Sequence, residues 1–160
     1  MTWEEICADP ALANLPYRIE TDKWGNIVMS PPPGGYHSFR QSRLIVLLDR
    51  LMTGGYGLSE CPVQTAGGVK AMDSAWMSQE RFERLERRES SVHQIAPEIC
   101  VEVRSPRNTF SEIQEKMSLY FGAGAIECWI CDREGRMSFF DAEGPMPRSK
   151  LCPDFPAQLP

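Results

Sequence analysis

The sequence predicts a mixed α/β or α+β fold, in which helices flank a central β-sheet. Short apolar runs typical of strands alternate along the chain with segments whose apolar residues recur at helical spacing. Two of the strand-like runs are joined by an Ala-Gly-Gly turn, which predicts a β-hairpin. With 160 residues, 42% of them hydrophobic and 24% charged, the chain has the composition of one globular domain with a sizeable core.

The first half of the chain is predicted to hold a strand, a helix and the hairpin, in that order. Strand 27–29 ends at a run of three prolines, which cannot continue a helix or a β-ladder. Helix 36–52 follows, because its leucines, isoleucine and methionine recur at helical period and Gly54-Gly55 ends the pattern. The two strands of the hairpin are 58–65 and 69–77.

A short charged helix and a buried strand are predicted next. Ser78 is a suitable N-cap for a helix that extends to about Arg88. Arginines and glutamates both recur at helical spacing in this segment, which indicates a solvated face of ion pairs. A local basic cleft is the alternative. The arginines are Arg81, Arg84, Arg87 and Arg88. Strand 99–104 follows Pro97 and ends at Ser105-Pro106.

The last predicted elements are an amphipathic helix, two strands and an extended tail. Helix 109–123 has an apolar stripe and ends in glycines, and strands 127–131 and 137–140 flank a turn. Residues 144–160 contain five prolines and are predicted to form a strap within the single domain 1–160. The residues expected to anchor this strap are Leu151, Phe155 and Leu159.

The charge and hydropathy of the chain exclude several classes of protein. A net charge of −5 argues against a protein that coats nucleic acid through bulk electrostatics. No apolar run approaches the roughly eighteen residues of a membrane span. Glu4, Glu5 and Asp9 occur where a signal peptide would need basic and apolar residues, so a cytoplasmic location is expected.

The six cysteines are irregularly spaced, and three of them lie in apolar strand-like segments. Reduced cysteine behaves as a small hydrophobe in such segments, so free thiols are predicted. Cys128 and Cys131 have the Cys-x-x-Cys spacing of a zinc or redox site. Residues three apart in a strand point to opposite faces, and no second pair follows, so metal binding there is not expected.

Two acidic residues interrupt predicted hydrophobic strands, where an unpaired charge is costly. Glu102 lies in the middle of Ile-Cys-Val-Glu-Val, and Asp73 lies in the second strand of the hairpin. Strand alternation places Glu102 and Arg104 on one face, so a half-exposed strand with a same-face ion pair is one explanation. The other is that the two acids converge, which would raise each other's pKa unless a cation such as Mg²⁺ lies between them.

A lysine and a histidine occupy positions from which they could reach the same region. Lys116 falls at the edge of the apolar stripe of helix 109–123, so its ammonium could extend toward the carboxylates of the sheet. A surface ion pair with Glu112, four residues earlier, is the alternative. His37 opens the first long helix, where it could direct its imidazole into a cleft or serve as an ordinary polar residue.

An acid in a hairpin strand, a Glu-x-basic strand and a lysine on the next helix resemble the PD-(D/E)xK nuclease superfamily. More specifically, the chain resembles the Uma-two family of restriction endonuclease-like domains from about residue 15 to residue 159. The order and spacing of several short motifs carry this resemblance. They are Met29 to Pro33 followed by His37, Asp73 with Trp76-Met77-Ser78, Ala96 to Pro106, Lys116 with Tyr120, and Gly124 to Asp132.

The resemblance implies a restriction endonuclease-like core and hydrolysis of phosphodiester bonds in nucleic acid, with DNA the expected substrate. Asp73 and Glu102 would bind Mg²⁺ or Mn²⁺, with the carbonyl of Val103 as a further ligand. Lys116 would act as the catalytic cation. Arg104 and His37 would contact phosphate, or His37 would instead shuttle a proton. Many nucleases of this fold cut as dimers, so a homodimer is plausible.

The chain departs from the family pattern at two positions, neither of which is an expected ligand. Met72 occurs where the superfamily has proline, and Glu98 occurs where an aspartate is usual. Arg104 stands at the position of the superfamily lysine, and arginine does not readily give up a proton.

Two functions from other classes compete with the nuclease. The first is a catalytically silent nuclease-fold module for nucleic-acid binding or assembly, which the acidic composition favours and which has no need of a metal ion. The second is a small-molecule enzyme with Cys128 or Cys131 as nucleophile. It is disfavoured because no histidine is suitably placed.

Overall fold

A computed structural model describes residues 1–87 and 90–160 of the chain. The helices are α1 (Trp3–Ala8), α2 (Pro10–Ala13), α3 (Gly35–Leu51), α4 (Gln79–Arg87) and α5 (Phe110–Gly122). The strands are β1 (Arg18–Thr21), β2 (Ile27–Ser30), β3 (Gly55–Thr65), β4 (Gly68–Ser78), β5 (Ile99–Val103), β6 (Glu127–Cys131), β7 (Met137–Asp141) and β8 (Gly144–Met146).

The core of the fold is a six-stranded mixed sheet in the order β3-β4-β5-β6-β7-β8. The β5 and β6 strands run parallel, and every other neighbouring pair in this sheet is antiparallel. The parallel pair requires a crossover, which α5 supplies between the two strands. The predicted mixed sheet flanked by helices is therefore confirmed.

Helices α3 and α5 cover opposite faces of this sheet, because each presents one apolar stripe to it. One core cluster joins Leu44 and Leu48 of α3 to Ile99, Val101 and Val103 of β5. The other joins α5 to the opposite face of the strands, and it includes Ile113, Met117, Tyr120, Cys100, Cys128 and Ile130. Strand alternation thus sorts the side chains of β5 as the sequence predicted.

The β1 and β2 strands form a separate two-stranded sheet that packs against β4. Side chains rather than a β-ladder attach it: Thr21 Oγ1 accepts a hydrogen bond from the Val69 backbone at 2.8 Å. Gly68 permits this close approach, since its φ is +98° and a Cβ there would collide with the backbone of Thr21 and Asp22. The sequence analysis found β2 but missed β1, α1 and α2.

The C-terminal tail is attached to the sheet along most of its length. Its first three residues form β8, which the predicted strap did not anticipate. The Glu127 carboxylate then accepts hydrogen bonds from Ser149 Oγ and from the backbone of residues 150 and 151. Phe155 and Leu159 are buried in the core cluster beneath α3, as predicted, whereas Leu151 is exposed and does not anchor the tail.

Helix α4 forms as predicted, with Ser78 Oγ accepting a hydrogen bond from the Arg81 backbone at 3.3 Å. Arg84 pairs with Glu80 at 3.0 Å on the surface, and Arg81 pairs with Glu98 at 3.2 Å. The Arg84 pair fits the solvated face of ion pairs, whereas the Arg81 pair is largely buried and joins the helix to a residue outside it. The predicted end of the helix at Arg88 lies outside the described residues.

The six cysteines are free thiols. Cys128 and Cys131 lie in different core clusters on the two faces of the sheet, as strand alternation requires. In the described part of the chain, none of the helices combines the length and apolarity needed to cross a bilayer.

Candidate active site

A cleft opens where β4 and β5 cease to pair. Their ladder covers only three residue pairs, Ser74–Trp76 against Ile99–Val101. Beyond it, the Val103 N–H donates to Oδ2 of Asp73 at 2.7 Å, so a carboxylate takes the place of a backbone partner. An aspartate therefore occurs in this strand because it satisfies the orphaned backbone donor where the strands diverge.

The cleft has a volume of about 1080 Å³ and is bounded by four parts of the fold. Its walls come from the turn between β1 and β2, the proline loop before α3, the loop after β5 and one side of α5. Asp73, Glu102, Lys116, His37 and Val103 all line it. Five of the six residues predicted to form the site are thus brought together.

Asp73 is 1% exposed and has protein donors on both of its oxygens. Arg18 Nη1 lies 2.5 Å from Oδ1, and His37 Nε2 lies 3.2 Å from Oδ2, which also accepts from Val103. Burial alone would raise the pKa of Asp73, but the His37 hydrogen bond, the Arg18 charge and the Val103 N–H lower that pKa to about 2.

Glu102 has a contrasting environment, although it lies beside Asp73 in the cleft. Burial raises its pKa to about 8, against the opposing charge of Lys116 and with a further contribution from the negative charge of Asp73. Tyr120 donates its hydroxyl proton to Oε1 at 2.5 Å, and Lys116 Nζ lies 3.8 Å from the same oxygen. The pKa of Glu102 is therefore raised chiefly by burial, with a smaller contribution from Asp73, whereas the pKa of Asp73 is lowered by its own partners.

Lys116 points into the cleft rather than along the helix surface. Its Nζ is 3.0 Å from Oε1 of Glu20 and bridges toward Glu102. The alternative surface pair with Glu112 does not form, because Glu112 instead accepts from the Thr109 backbone in a capping box. Burial would lower the pKa of Lys116, but Glu102 and Glu20 outweigh it and raise that pKa.

His37 and Arg104 differ in how they relate to the cleft. His37 is the third residue of α3, and its Nδ1 is buried with no hydrogen-bond partner within the described residues. Arg104 is exposed and does not line the cleft, although its backbone N–H donates to the Cys131 carbonyl at 2.8 Å, next to the last pair of β5 and β6. Its predicted contact with phosphate stays a prediction.

Two charged residues of the cleft were missed by the sequence analysis. Arg18 and Glu20 are alternate residues of β1 that flank Ala71 of β4. The Arg18 guanidinium donates to the Ala71 carbonyl at 2.9 Å, and Glu20 accepts from the Ala71 N–H at 3.0 Å. No local pattern marks them, because β1 is four residues long and mostly polar.

The carboxylates of the cleft are the type of ligand that a hard divalent ion prefers. Mg²⁺ takes oxygen ligands, often one or two carboxylates together with water. Glu102 lines the cleft, and its Oε2 receives no hydrogen bond from residues 1–87 or 90–160. Within those residues no three His, Cys, Asp or Glu side chains are grouped closely enough to enclose a metal, and Arg18 occupies Oδ1 of Asp73. An ion bound here would therefore have to keep most of its water ligands and displace Arg18 from Asp73.

Comparison with known proteins identifies the family to which the chain is similar. Residues 3–141 match the family model Uma2, described as "Putative restriction endonuclease". The fold is also similar to the crystal structure of a putative nuclease belonging to DUF820 from Anabaena variabilis ATCC 29413. The TM-score is 0.73 at 18% sequence identity, with 91% of each chain covered. No protein of curated function matches the chain.

The matched residues include all the described cleft side chains from Arg18 to Tyr120. The predicted restriction endonuclease-like fold is confirmed by the structural likeness, and the predicted family by the model match. The chain belongs to the Uma2 family of putative restriction endonucleases.

Proposed function

We propose that this protein is a divalent-metal-dependent endonuclease that hydrolyses phosphodiester bonds of nucleic acid, with DNA as the expected substrate. The observation that carries the proposal is the convergence of Asp73, Glu102 and Lys116 in one cleft, from three separate elements. Mg²⁺ or Mn²⁺ held by Asp73, Glu102 and the Val103 carbonyl would supply a Lewis acid that acidifies water and offsets phosphate charge.

The side chains of the cleft have distinct tasks in this proposal. Lys116 is mostly buried, so its ammonium interacts strongly with charge that develops on the phosphate in the transition state. Tyr120 holds Oε1 of Glu102 through its hydroxyl, so Oε2 would be the oxygen that contacts the ion. His37 holds Asp73 through Nε2, and its Nδ1, which has no hydrogen-bond partner in the part of the chain that the structure describes, would be the atom that shuttles a proton.

Nucleic-acid binding is supported by groups at the mouth of the cleft, despite the net charge of −5. Lys23, Lys70 and Arg107 provide cations that suit a phosphate backbone. Trp24 is 75% exposed at the tip of the β1–β2 turn, with Lys23 Nζ 4.4 Å from its ring centroid. Such a ring offers a stacking surface for a base. A homodimeric cutting unit and a cytoplasmic location are part of the same proposal.

The test is cleavage of DNA and RNA with Mg²⁺, with Mn²⁺ and with EDTA. Asp73→Asn, Glu102→Gln and Lys116→Met should each lower the metal-dependent rate by about a hundredfold or more, as loss of a transition-state contact does. The matched control is Glu143→Gln, because Glu143 is an exposed carboxylate on the turn between β7 and β8. Cleavage at wild-type rate by Asp73→Asn and Glu102→Gln would remove the proposal.

One observation favours a second candidate, the catalytically silent nuclease-fold module. Both oxygens of Asp73 already have protein donors, so the carboxylate is compensated without an ion. Calorimetric titration with Mn²⁺ separates the candidates. A silent module has no reason to bind the ion through Asp73, whereas the endonuclease loses that binding in Asp73→Asn.

A further inference from the structure

The β1 strand brings a protein cation to the carboxylate that the proposed function assigns to a metal ion. Arg18 Nη1 bonds Oδ1 of Asp73 at 2.5 Å, while Nη2 bonds the Ala71 carbonyl at 2.9 Å. Oδ2 is held by Val103 and His37. A hard ion needs direct contact with carboxylate oxygen at roughly 2.1 Å. An ion at Oδ1 and the Arg18 guanidinium therefore compete for the same place.

The charges around Asp73 make Arg18 the residue that competes with a metal ion for this carboxylate. Lys116 lies between Glu20 and Glu102, at 3.0 Å and 3.8 Å from their oxygens. Arg18 is thus the cation that compensates Asp73 directly. A divalent ion on Asp73 with Arg18 still in place would bring two cations onto one carboxylate, which their mutual repulsion disfavours.

A released Arg18 would stay in the cleft. Its side chain is 19% exposed and lines the cleft, and the Nη2 contact with Ala71 does not involve Asp73. The guanidinium is always charged, and its planar fork matches the oxygens of a phosphate. The cleft therefore holds a phosphate-binding group that becomes available when Asp73 binds something else.

We propose that Arg18 exchanges partners during the reaction: it pairs with Asp73 in the ion-free protein and with a substrate phosphate once a divalent ion is bound. This inference rests on the proposed function and adds a phosphate-binding residue to it. The simpler alternative is a permanent structural ion pair that ties β1 to β4. A permanent pair predicts loss of stability on substitution, with no change in the affinity for metal ions.

Calorimetric titration of the full chain with Mn²⁺, without nucleic acid, distinguishes the two. Arg18→Gln should bind Mn²⁺ about tenfold more tightly than wild type or better, the order by which a neighbouring guanidinium alters proton binding to an aspartate. Lys23→Gln is the matched control, because Lys23 is an exposed cleft cation above Trp24 rather than a partner of Asp73. Its Mn²⁺ affinity should stay within about threefold of wild type, as expected for a screened surface charge.

A second measurement uses the affinity for a short fluorescent DNA, read by anisotropy with Mn²⁺ before cleavage is detectable. Arg18→Gln should lower the slope of log affinity against log salt by about one, the value of one lost phosphate contact. Without Mn²⁺ the two slopes should coincide, because Arg18 is then paired with Asp73. Arg18→Lys keeps the charge and should restore part of the slope.

The outcomes separate this inference from the proposed function. Tighter Mn²⁺ binding by Arg18→Gln than by wild type, with both proteins binding the ion, supports partner exchange. Binding seen only in the variant means that Arg18 excludes the ion, and it overturns partner exchange. Binding of Mn²⁺ by wild type with unchanged affinity in Arg18→Gln overturns partner exchange and leaves the metal-dependent function intact. No binding by either protein overturns both. If Arg18→Gln fails to fold, the guanidinium NMR signals of wild-type Arg18 decide instead, since they must shift on saturation with Mg²⁺ if the exchange occurs.

Discussion

Replacement of Glu102 by glutamine should change how the stability of the ion-free protein depends on pH. Glutamine keeps an oxygen that accepts the Tyr120 hydroxyl proton at Oε1, but it cannot ionise. In the wild type, burial raises the pKa of Glu102 from 4.5 to about 8. A raised carboxyl pKa means that the native state binds a proton that the unfolded state has released.

The sign and size of the effect follow from this difference. Between about pH 4.5 and pH 8 the native state holds more protons than the unfolded state, so the stability of the wild type falls as pH rises. Each pH unit contributes about 1.4 kcal/mol, which gives an upper limit of roughly 5 kcal/mol over that interval. Glu102→Gln lacks this loss, so it should become the more stable protein at pH 8 and above.

The assay is urea unfolding in EDTA at pH 5, 6, 7, 8 and 9, followed by circular dichroism. The quantity to compare is the difference in unfolding free energy between wild type and variant, because titrating groups that do not interact with Glu102 cancel in it. From pH 5 to pH 9, the unfolding free energy of the variant should rise by several kcal/mol relative to that of wild type. Parallel stability profiles for the two proteins would refute the assignment of a raised pKa to Glu102.

Three further substitutions test contacts that build the fold around the cleft. Tyr120→Phe removes the hydroxyl that donates to Glu102, so the free energy of unfolding measured with urea at pH 7 should fall by about 1–3 kcal/mol. An unchanged midpoint of urea unfolding would contradict the contact. Glu127→Ala removes the carboxylate that holds Ser149 and the backbone beyond it. Limited proteolysis should therefore cleave the tail of the variant faster than the tail of wild type. Equal cleavage rates would argue against this attachment. Gly68→Ala introduces a Cβ at φ +98° against the backbone of Thr21. The midpoint of thermal unfolding should therefore fall by several degrees, which corresponds to at least about 1 kcal/mol of stability. A stabilised variant would contradict the close approach of β1 to β4.

The elements that the sequence predicted correctly depend on local pattern. Helix α5 is recognisable because its apolar residues recur at helical period, and its capping box satisfies the first backbone donors. The β5 strand is recognisable because alternate side chains face different clusters. The acids Asp73 and Glu102 stood out for the same reason, since each breaks an otherwise apolar strand.

The errors arise where a contact between distant residues overrides local pattern. Arg18 and Glu20 lie in a short polar segment, and their side chains become cleft residues only because β1 packs on β4. Leu151 was expected to anchor the tail, but the buried Glu127 carboxylate holds the backbone there instead.

The sequence by itself determined the family, the order of the main strands and helices, and the presence of two acids and a lysine suited to one site. Periodicity and composition act over a few residues, so one chain is enough to display them. Only the tertiary structure decided the electrostatic character of the cleft. The pKa of Asp73 is low and that of Glu102 is high because Arg18, His37, Lys116 and Tyr120 reach them from other elements, and such charges act through space rather than along the chain.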